Sequence, residues 1–288
     1  MKLRKLNWDL TSGRNEVRIF HGTDLHIGAD GFHRTVWFRF CDSVKAHPNC
    51  KVILTGDIID AERPSMRDRK SIMYGEAGRK DAWSQEDERN FAWIDRDVIP
   101  KFAGIADKIA GMIDGDHFIL FSNGMTSTQY ICNRLKIPSA YLGERMAYLG
   151  LSFDRKNGDT TLYNILLRHG KGYGGTAGAD VNALVRNNKG FLADLYLGGH
   201  THKENCHCEI LLYPNKDYEK LRQRIVWYVR GGSFLRGYPE DGRQTYVEQA
   251  EYSPLTTGWA EIDLVVNRVR ENNLNIRVTE ASARLVVA

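Results

Sequence analysis

Five short apolar runs, each followed at once by polar residues, constrain the fold of this chain most strongly. They read VRIFHGTDLH from Val17, KVILTGDIID from Lys51, KIAGMIDGDH from Lys108, LYNILLRHG from Leu162 and ADLYLGGHTH from Ala193. Continuous apolar runs of this length are typical of strands that are buried on both faces. The polar residues then fall at the carboxyl ends of the predicted strands, where ligands of layered α/β folds bind.

Helix-like segments separate the runs. Val36, Trp37, Phe40 and Val44 keep helical spacing, and a second set spans residues 91–105 with Pro100 as a predicted kink. Strands that alternate with helices predict an α/β layered fold.

The pattern changes after residue 205. CEILLY, RIVWYVRGG, QTYVEQAEY, GWAEIDLVV and LNIRVTEA all read as β-strands. We expect residues 206–288 to complete a second, largely antiparallel sheet packed on the first. Because no linker separates the two parts, we predict a single domain over residues 1–288.

Composition bounds the class of protein more than its function. Of 288 residues, 42% are apolar and 26% are charged, which is ordinary for a globular protein. No apolar run approaches the ~18 residues that span a membrane, and no signal-peptide core is present. Five cysteines without a disulfide-like spacing favour the reducing cytoplasm, so we expect a cytoplasmic protein without membrane attachment.

The polar clusters share one chemistry. Five of the nine histidines and three aspartates lie at the five predicted strand ends. A single histidine is usually structural, but burying this many unpaired polar groups would be costly. A shared metal site removes the difficulty, because imidazole and carboxylate suit Zn, Mn and Fe. Asp24 and His26 are two residues apart and would point the same way from an extended segment, as would His200 and His202.

In order, the motifs DLH at 24–26, GDIID at 56–60, GDH at 115–117, the isolated His169 and GHTH at 199–202 resemble the calcineurin-like metallophosphoesterase family. The resemblance covers about residues 17–235. It implies a four-layer α-β-β-α sandwich with two mixed sheets flanked by helices.

The resemblance also implies roles. Asp24, His26 and His202 would hold one divalent metal, and Asp116, His169 and His200 a second, with Asp57 bridging the two. His117 would stabilise developing charge or protonate the leaving oxygen. The implied reaction is in-line attack on phosphorus by a metal-bound hydroxide. We expect Mn²⁺, with Fe, Zn or Ni as alternatives.

One position departs from the family pattern. Asp116 stands where the family usually has asparagine, and Phe118 replaces an acid that normally supports the loop. A carboxylate is still a hard ligand, but its added charge would alter metal preference, and the loop would lack the acid that normally supports it.

The substrate is less constrained. DLHIG and the arginine-rich segment after GDIID are similar to the nuclease branch of the family, which favours phosphodiesters such as DNA, RNA or cyclic nucleotides over phosphomonoesters. Arg34, Arg63 and Lys171 are the candidate phosphate-binding residues, although the basic segment that contains Arg63 is equally explained as a solvated loop. The alternative class is a scaffold that keeps the fold without catalysis.

Two features have simpler explanations. Asp60 is expected to brace its loop by hydrogen bonding. Cys206, His207 and Cys208 alternate along a predicted strand and would not chelate one metal together.

Overall fold

The computed structural model of the chain describes residues 1–9, 16–60, 80–154, 160–171, 176–238, 245–249, 254, 256–271 and 273–287. The strands in these ranges are β1 (Lys2–Asp9), β2 (Glu16–Gly22), β3 (Cys50–Leu54), β4 (Ile109–Met112), β5 (Met146–Asp154), β6 (Thr160–Arg168), β7 (Leu195–Gly198), β8 (Asn205–Pro214), β9 (Leu221–Arg230), β10 (Gly258–Glu271) and β11 (Asn273–Val287).

Helices cover part of the same ranges. The α-helices are α1 (Arg34–Ala46), α2 (Lys80–Trp93), α3 (Ile99–Phe102), α4 (Ser127–Arg134), α5 (Ala177–Asn188) and α6 (Tyr246–Gln249). A π-helical turn (Ile94–Val98) joins α2 to α3, and 3₁₀ turns lie at Ala106–Lys108 and Pro138–Ala140. None of the helices in the described ranges has the length and apolar character needed to cross a membrane.

The strands form two mixed sheets. One has the order β11-β10-β2-β3-β4, in which β2, β3 and β4 are parallel and β10 is antiparallel to β2. The other has the order β1-β5-β6-β7-β9-β8, in which β6, β7 and β9 are parallel. All five apolar runs are therefore confirmed as strands, and in each sheet the parallel strands end at a common edge.

Three apolar layers hold the sheets and helices together. Between the sheets, Ile19 and Ile53 of the first belong to the same buried cluster as Leu167 and Leu197 of the second. On the outer face of the five-stranded sheet, α1 and α4 join a cluster that includes Phe20 and Leu54 of that sheet. On the outer face of the six-stranded sheet, Leu184 of α5 packs with Tyr196 and Tyr228. The four-layer α-β-β-α arrangement implied by the motifs is confirmed.

Helix α1 has the predicted apolar stripe. Val36, Trp37, Phe40 and Val44 are all buried, as their spacing requires. The helix ends at Ala46, before His47 and Pro48, because a residue that precedes proline is disfavoured in the α conformation. The predicted kink near Pro100 takes the form of the π-helical turn Ile94–Val98, since proline offers no N–H to a carbonyl in the preceding turn.

The prediction for residues after 205 was wrong in two respects. They do not build one sheet, because β9 pairs with β7 while β10 pairs with β2, so each sheet receives two of the four strands. Period-two alternation identifies a strand but not its partner. In addition, the segment QTYVEQAEY contains α6 where a strand was predicted. Thr245 Oγ1 accepts a hydrogen bond from the Glu248 amide at 3.3 Å and caps that helix.

Candidate metal centre

The predicted metal ligands lie at one edge of the sandwich, just beyond the carboxyl ends of five strands. Asp24 and His26 follow β2, Asp57 follows β3 and Asp116 follows β4 in one sheet. In the other sheet, His169 directly follows β6, and His200 and His202 follow β7. The structure thus brings all seven predicted ligands together from both sheets.

Left-handed backbone turns direct these side chains. Of the seven non-glycine residues with positive φ in the described ranges, five are predicted ligands, and such conformations cost about 1–3 kcal/mol each. They are Asp24 (51°), His26 (50°), Asp57 (51°), His200 (76°) and His202 (55°). The expectation that Asp24 and His26 project from an extended segment was therefore wrong. Each side chain is directed by its own turn.

Backbone hydrogen bonds between the loops hold these turns. The Asp24 amide donates to the Gly56 carbonyl at 3.1 Å, and the His26 amide donates to the Asp57 carbonyl at 2.9 Å. The Asp57 amide donates to the Asp114 carbonyl at 2.8 Å. Gly115 has a φ of 88°, and a Cβ on it would lie 2.3 Å from Asp57 Oδ1, so only glycine allows the loops to approach this closely.

The first group of donors consists of Asp24, His26 and His202, which could hold a metal ion together. His202 Nε2 lies 3.5 Å from Asp24 Oδ1 and 3.2 Å from His26 Nε2. Asp24 is fully buried, and its carboxylate accepts hydrogen bonds from Thr23 Oγ1 at 2.8 Å and from the His200 amide. Burial lowers the pKa of His202 to about 4, which keeps its ring neutral and able to donate a lone pair.

The second group consists of Asp116, His169 and His200. Asp116 Oδ2 lies 3.0 Å from His200 Nδ1 and 3.7 Å from His169 Nε2. In the ion-free site, burial opposes protonation of His169, but the charge of Asp57 outweighs it and raises the pKa of His169 to about 9.

Asp57 lies between the two groups. Its Oδ2 is 3.8 Å from His26 Nε2 and 3.2 Å from His169 Nε2. Its Oδ1 accepts hydrogen bonds from the amides of Asp116 and His117 at 2.6 and 2.8 Å. Burial alone would raise the pKa of Asp57, but the imidazoles of His169 and His26 hold it well below its usual range. The buried carboxylate is thus ionised and keeps one oxygen directed at both groups.

The donor chemistry fits cations. His26 Nδ1 lies 3.1 Å from Asp60 Oδ2, and His169 Nδ1 lies 2.8 Å from the Thr55 carbonyl oxygen. With these partners each Nδ1 acts as the donor, so each Nε2 would offer its lone pair to a bound cation. His169 Nε2 is buried and lies 3.2 Å from Asp57 Oδ2 without a well-aligned hydrogen bond, so a cation in the space that both atoms face would satisfy it.

His117 differs from the other histidines because it is accessible. Its side chain is 51% exposed, and its Nδ1 lies 3.4 Å from Asp60 Oδ1. The hydrogen bond with Asp60 raises the pKa of His117 to about 9. Asp60 thus contacts both His26 and His117, in the bracing role expected from the sequence.

Arg145 offsets the negative charge that Asp116 adds to its loop. It forms an ion pair with the Asp116 carboxylate, and nothing in the motif pattern pointed to it. The extra negative charge at position 116 is therefore balanced by an arginine that precedes β5. The loop also gains support from the amides of Asp116 and His117, which bind Asp57.

Arg230 is a second residue that sequence reasoning missed. It is buried at the end of β9, and its Nη1 donates to Thr201 Oγ1 at 2.8 Å within the GHTH loop. The same atom lies 3.6 Å from Asp180 of α5. A lone arginine at a strand end gives no signal in one sequence.

The three candidate phosphate-binding residues are not gathered at one point. Arg34 begins α1 and lines a cavity beside the DLH loop. Lys171 is exposed two residues after His169, and its carbonyl accepts a hydrogen bond from Asn187. Arg63 lies outside the described residues, as does most of the arginine-rich segment.

Cys206, His207 and Cys208 lie in β8, where alternate residues face opposite sides of the sheet. Within the described ranges, no group of metal-holding residues includes any of the three.

No family model matches the sequence, and no curated protein matches it significantly. Solved structures do share a likeness of fold. A predicted phosphoesterase from Streptococcus pneumoniae TIGR4 is 10% identical, with a TM-score of 0.33 over 94% of this chain and 98% of its own. A double mutant of Vps29 from Entamoeba histolytica is 10% identical, with a TM-score of 0.36 over 94% and 99%. Vps29 from Chaetomium thermophilum is 8% identical, with a TM-score of 0.35 over 93% and 97%.

These values describe a distant likeness. The resemblance of the chain to the calcineurin-like metallophosphoesterases rests on its own layers, strand ends and motif residues.

Proposed function

We propose that the chain is a phosphoesterase that uses two divalent cations and prefers phosphodiesters of nucleic acids or nucleotides. The observation that carries the proposal is the position of Asp57. One of its oxygens is held by two amides, and the other faces His26 and His169 from the two donor groups. A buried carboxylate placed in this way is suited to bridge a pair of cations, the usual arrangement for displacement at phosphorus.

Each cation would have its own donors. Asp24, His26 and His202 would hold one, and Asp116, His169 and His200 the other. Mixed oxygen and nitrogen donors suit Mn²⁺, with Fe, Zn or Ni as alternatives. When bound, such cations polarise a phosphoryl oxygen and lower the pKa of water to about 7.

Asp60 and His117, which lie beside the proposed cations, would supply a proton to the leaving group. Asp60 keeps His117 protonated at neutral pH, since the pKa of His117 is raised to about 9. His117 is accessible and could donate that proton to the leaving oxygen of the ester. General acid catalysis of this kind contributes about 10²–10⁴-fold.

A preference for diesters is supported by the cavity beside the DLH loop. A monoester needs room for one substituent on phosphorus, whereas a diester needs room for two. The cavity has a volume of about 690 Å³ and is lined in part by Arg34, so it offers space and positive charge for a second substituent.

All five cysteines are free thiols, which fits a reducing compartment such as the cytoplasm.

Hydrolysis of bis-p-nitrophenyl phosphate and p-nitrophenyl phosphate with added Mn²⁺ tests the proposal. We expect the diester to be hydrolysed with the higher kcat/KM, and the activity to be lost in Asp57→Asn. His207→Ala is the matched control, because His207 lies in β8 outside the centre. A preference for the monoester would overturn the diester assignment. Protein that retains no metal and hydrolyses neither ester would favour a scaffold.

The role of His117 needs a second substrate. p-Nitrophenolate leaves without a proton, whereas the alkoxide of thymidylyl-thymidine requires one. We expect His117→Ala to lose about 10²–10⁴-fold on the dinucleotide and much less on the nitrophenyl diester. Equal losses on both substrates would contradict a role as general acid.

A further inference from the structure

The cavity beside the metal centre carries an inference about the substrate. It is lined by residues 27–35 together with Trp93, Asp97, Lys101 and Arg236. With a volume of about 690 Å³, it is large enough for a nucleotide-sized group.

The cavity and the metal centre share a wall. Ile27 lines the cavity and directly follows His26, and its carbonyl accepts the Asp60 amide at 3.0 Å. A Cβ on Gly28 would lie 2.6 Å from the Asp60 carbonyl oxygen and 2.9 Å from the Trp93 ring. Gly28 therefore packs closely against both the Asp60 carbonyl and the Trp93 ring, so the cavity lining is in contact with the loop that carries Asp60.

Positive charge predominates in the cavity. Arg34, Lys101 and Arg236 face two acids, Asp30 and Asp97. Asp97 forms an ion pair with Arg96 at 2.6 Å and also lies near Lys101 and Arg34, so the cavity lining has three cations against two acids. No described residue forms a hydrogen bond or ion pair with the side chain of Arg34.

The position of Arg236 is fixed by its backbone. Its amide donates to the Gly31 carbonyl at 2.8 Å, and Leu235 bridges to Phe32. Arg236 is thereby held beside residues 27–35, although it is distant from the DLH loop in sequence. Burial, and then the positive charge of Arg236, lowers the pKa of the cavity-lining His33, so Arg236 lies close to the cavity.

The start of α1 adds to this charge. His33 forms no side-chain cap, and the first turn of the helix contains no acidic residue. The amides of His33 and Arg34 donate to the carbonyls of Phe234 and Phe32, but the start of a 13-residue helix still carries partial positive charge that favours anions. Together with Arg34 and Arg236, this partial charge makes the cavity suited to a phosphate group.

We propose that this cavity is a subsite for a second, non-scissile phosphate, so that the preferred substrate is a single-stranded oligonucleotide. The inference rests on the proposed phosphodiesterase function and adds the substrate class. Arg34 and Arg236 bind the phosphate, and Trp93 offers an aromatic face to the attached nucleoside. A cationic groove combined with an aromatic side chain is the usual means of binding single strands.

The test uses the p-nitrophenyl ester of thymidine 5′-phosphate, with and without a 3′-phosphate, in the presence of Mn²⁺. The two substrates share the scissile bond and leaving group. We expect the 3′-phosphate to raise kcat/KM about tenfold or more, as one charge-assisted contact provides. Because the contact is ionic and accessible, this gain should shrink as salt is added.

Variants of the cavity arginines test whether the increase in kcat/KM caused by the 3′-phosphate depends on the cavity. Arg34→Ala and Arg236→Ala should each reduce the ratio of the two kcat/KM values to about threefold or less. Arg186→Ala is the matched control, because Arg186 is an exposed arginine of α5, on the outer face of the six-stranded sheet, and does not line the cavity. It should keep the wild-type ratio.

The outcomes separate the two proposals. If the wild type hydrolyses both esters with equal kcat/KM, or if both variants keep the full ratio, the subsite is wrong and the phosphodiesterase proposal stands. If the wild type hydrolyses neither ester, the proposed function fails and the subsite fails with it.

Discussion

Gly199 offers the sharpest test of how the loops build the candidate metal centre. It directly precedes His200 in the GHTH loop. A Cβ at this position would lie 1.8 Å from Thr23 Oγ1 and 2.7 Å from Asp24 Oδ2. Real Cβ atoms do not approach other atoms this closely, so Gly199→Ala must displace either the GHTH loop or the Thr23–Asp24 segment.

The size of the effect follows from what is displaced. Overpacking in a well-packed region costs about 1–3 kcal/mol of unfolding free energy. The displaced segments carry Asp24 from one donor group and His200 from the other. Small displacements of such supporting contacts lower metal affinity by about 10–100-fold. We therefore expect both the stability of the metal-free protein and its affinity for Mn²⁺ to fall.

Calorimetric titration of Mn²⁺ into metal-free protein measures the affinity, and chemical denaturation measures the unfolding free energy. Gly178→Ala is the matched control. Gly178 lies in α5, and nothing lies within 4 Å of where its Cβ would be. Alanine there should leave Mn²⁺ affinity unchanged and should not destabilise the protein, because the position is open and glycine is not favoured over alanine in a helix.

The reasoning would be refuted by a folded Gly199→Ala protein that binds Mn²⁺ as tightly as the wild type. That result would mean that the close packing of Gly199 against Thr23 and Asp24 does not position the ligands.

Three further predictions follow from neighbouring contacts. In Asp60→Asn, the pKa of His117 should fall from about 9 toward its ordinary value, since the raising carboxylate is gone; NMR titration of metal-free protein measures it, and an unchanged value would exclude Asp60 as the cause. Arg145→Gln should raise Mn²⁺ affinity several-fold at low salt, because it removes a cation beside Asp116; weaker binding in the calorimeter would contradict this. Burial lowers the pKa of His21 to about 3 in the folded protein. As pH falls from about 6.5 toward 3, the unfolded chain therefore takes up a proton at His21 before the folded protein does, and the unfolding free energy decreases. Denaturant unfolding across that pH window should show that the unfolding free energy of His21→Gln varies less steeply with pH than that of the wild type, by up to about 1.4 kcal/mol per pH unit. Equal pH dependence in the two proteins would contradict this prediction.

Much of the candidate site could be predicted because its elements carry strong local signals. A strand such as β3 must bury both faces, so its sequence is a continuous apolar run, and its end is marked by Gly56 and Asp57. Because the carboxyl ends of parallel strands lie at a common edge of a sheet, the polar residues that follow these runs can be placed at one edge. Helix α1 could be predicted equally well, because all of its buried residues lie on one face and therefore recur at helical spacing.

Other parts depend on contacts that one sequence does not specify. β1 pairs in parallel with β5, which lies far away in sequence, and the sequence interpretation missed both strands. The assignment of β9 and β10 to different sheets depends on pairing with β7 and β2, which alternation does not encode. Arg145 and Arg230 reach Asp116 and Thr201 only through tertiary contacts, so no motif marks them.

The most direct test of the account is electron paramagnetic resonance of the protein loaded with Mn²⁺. If Asp57 bridges two cations, the wild type at saturation should bind two ions per chain and show the spectrum of an exchange-coupled pair. Asp57→Asn should lose that coupling. A wild-type protein that binds a single ion, or that shows only isolated Mn²⁺ at saturation, would contradict the central claim.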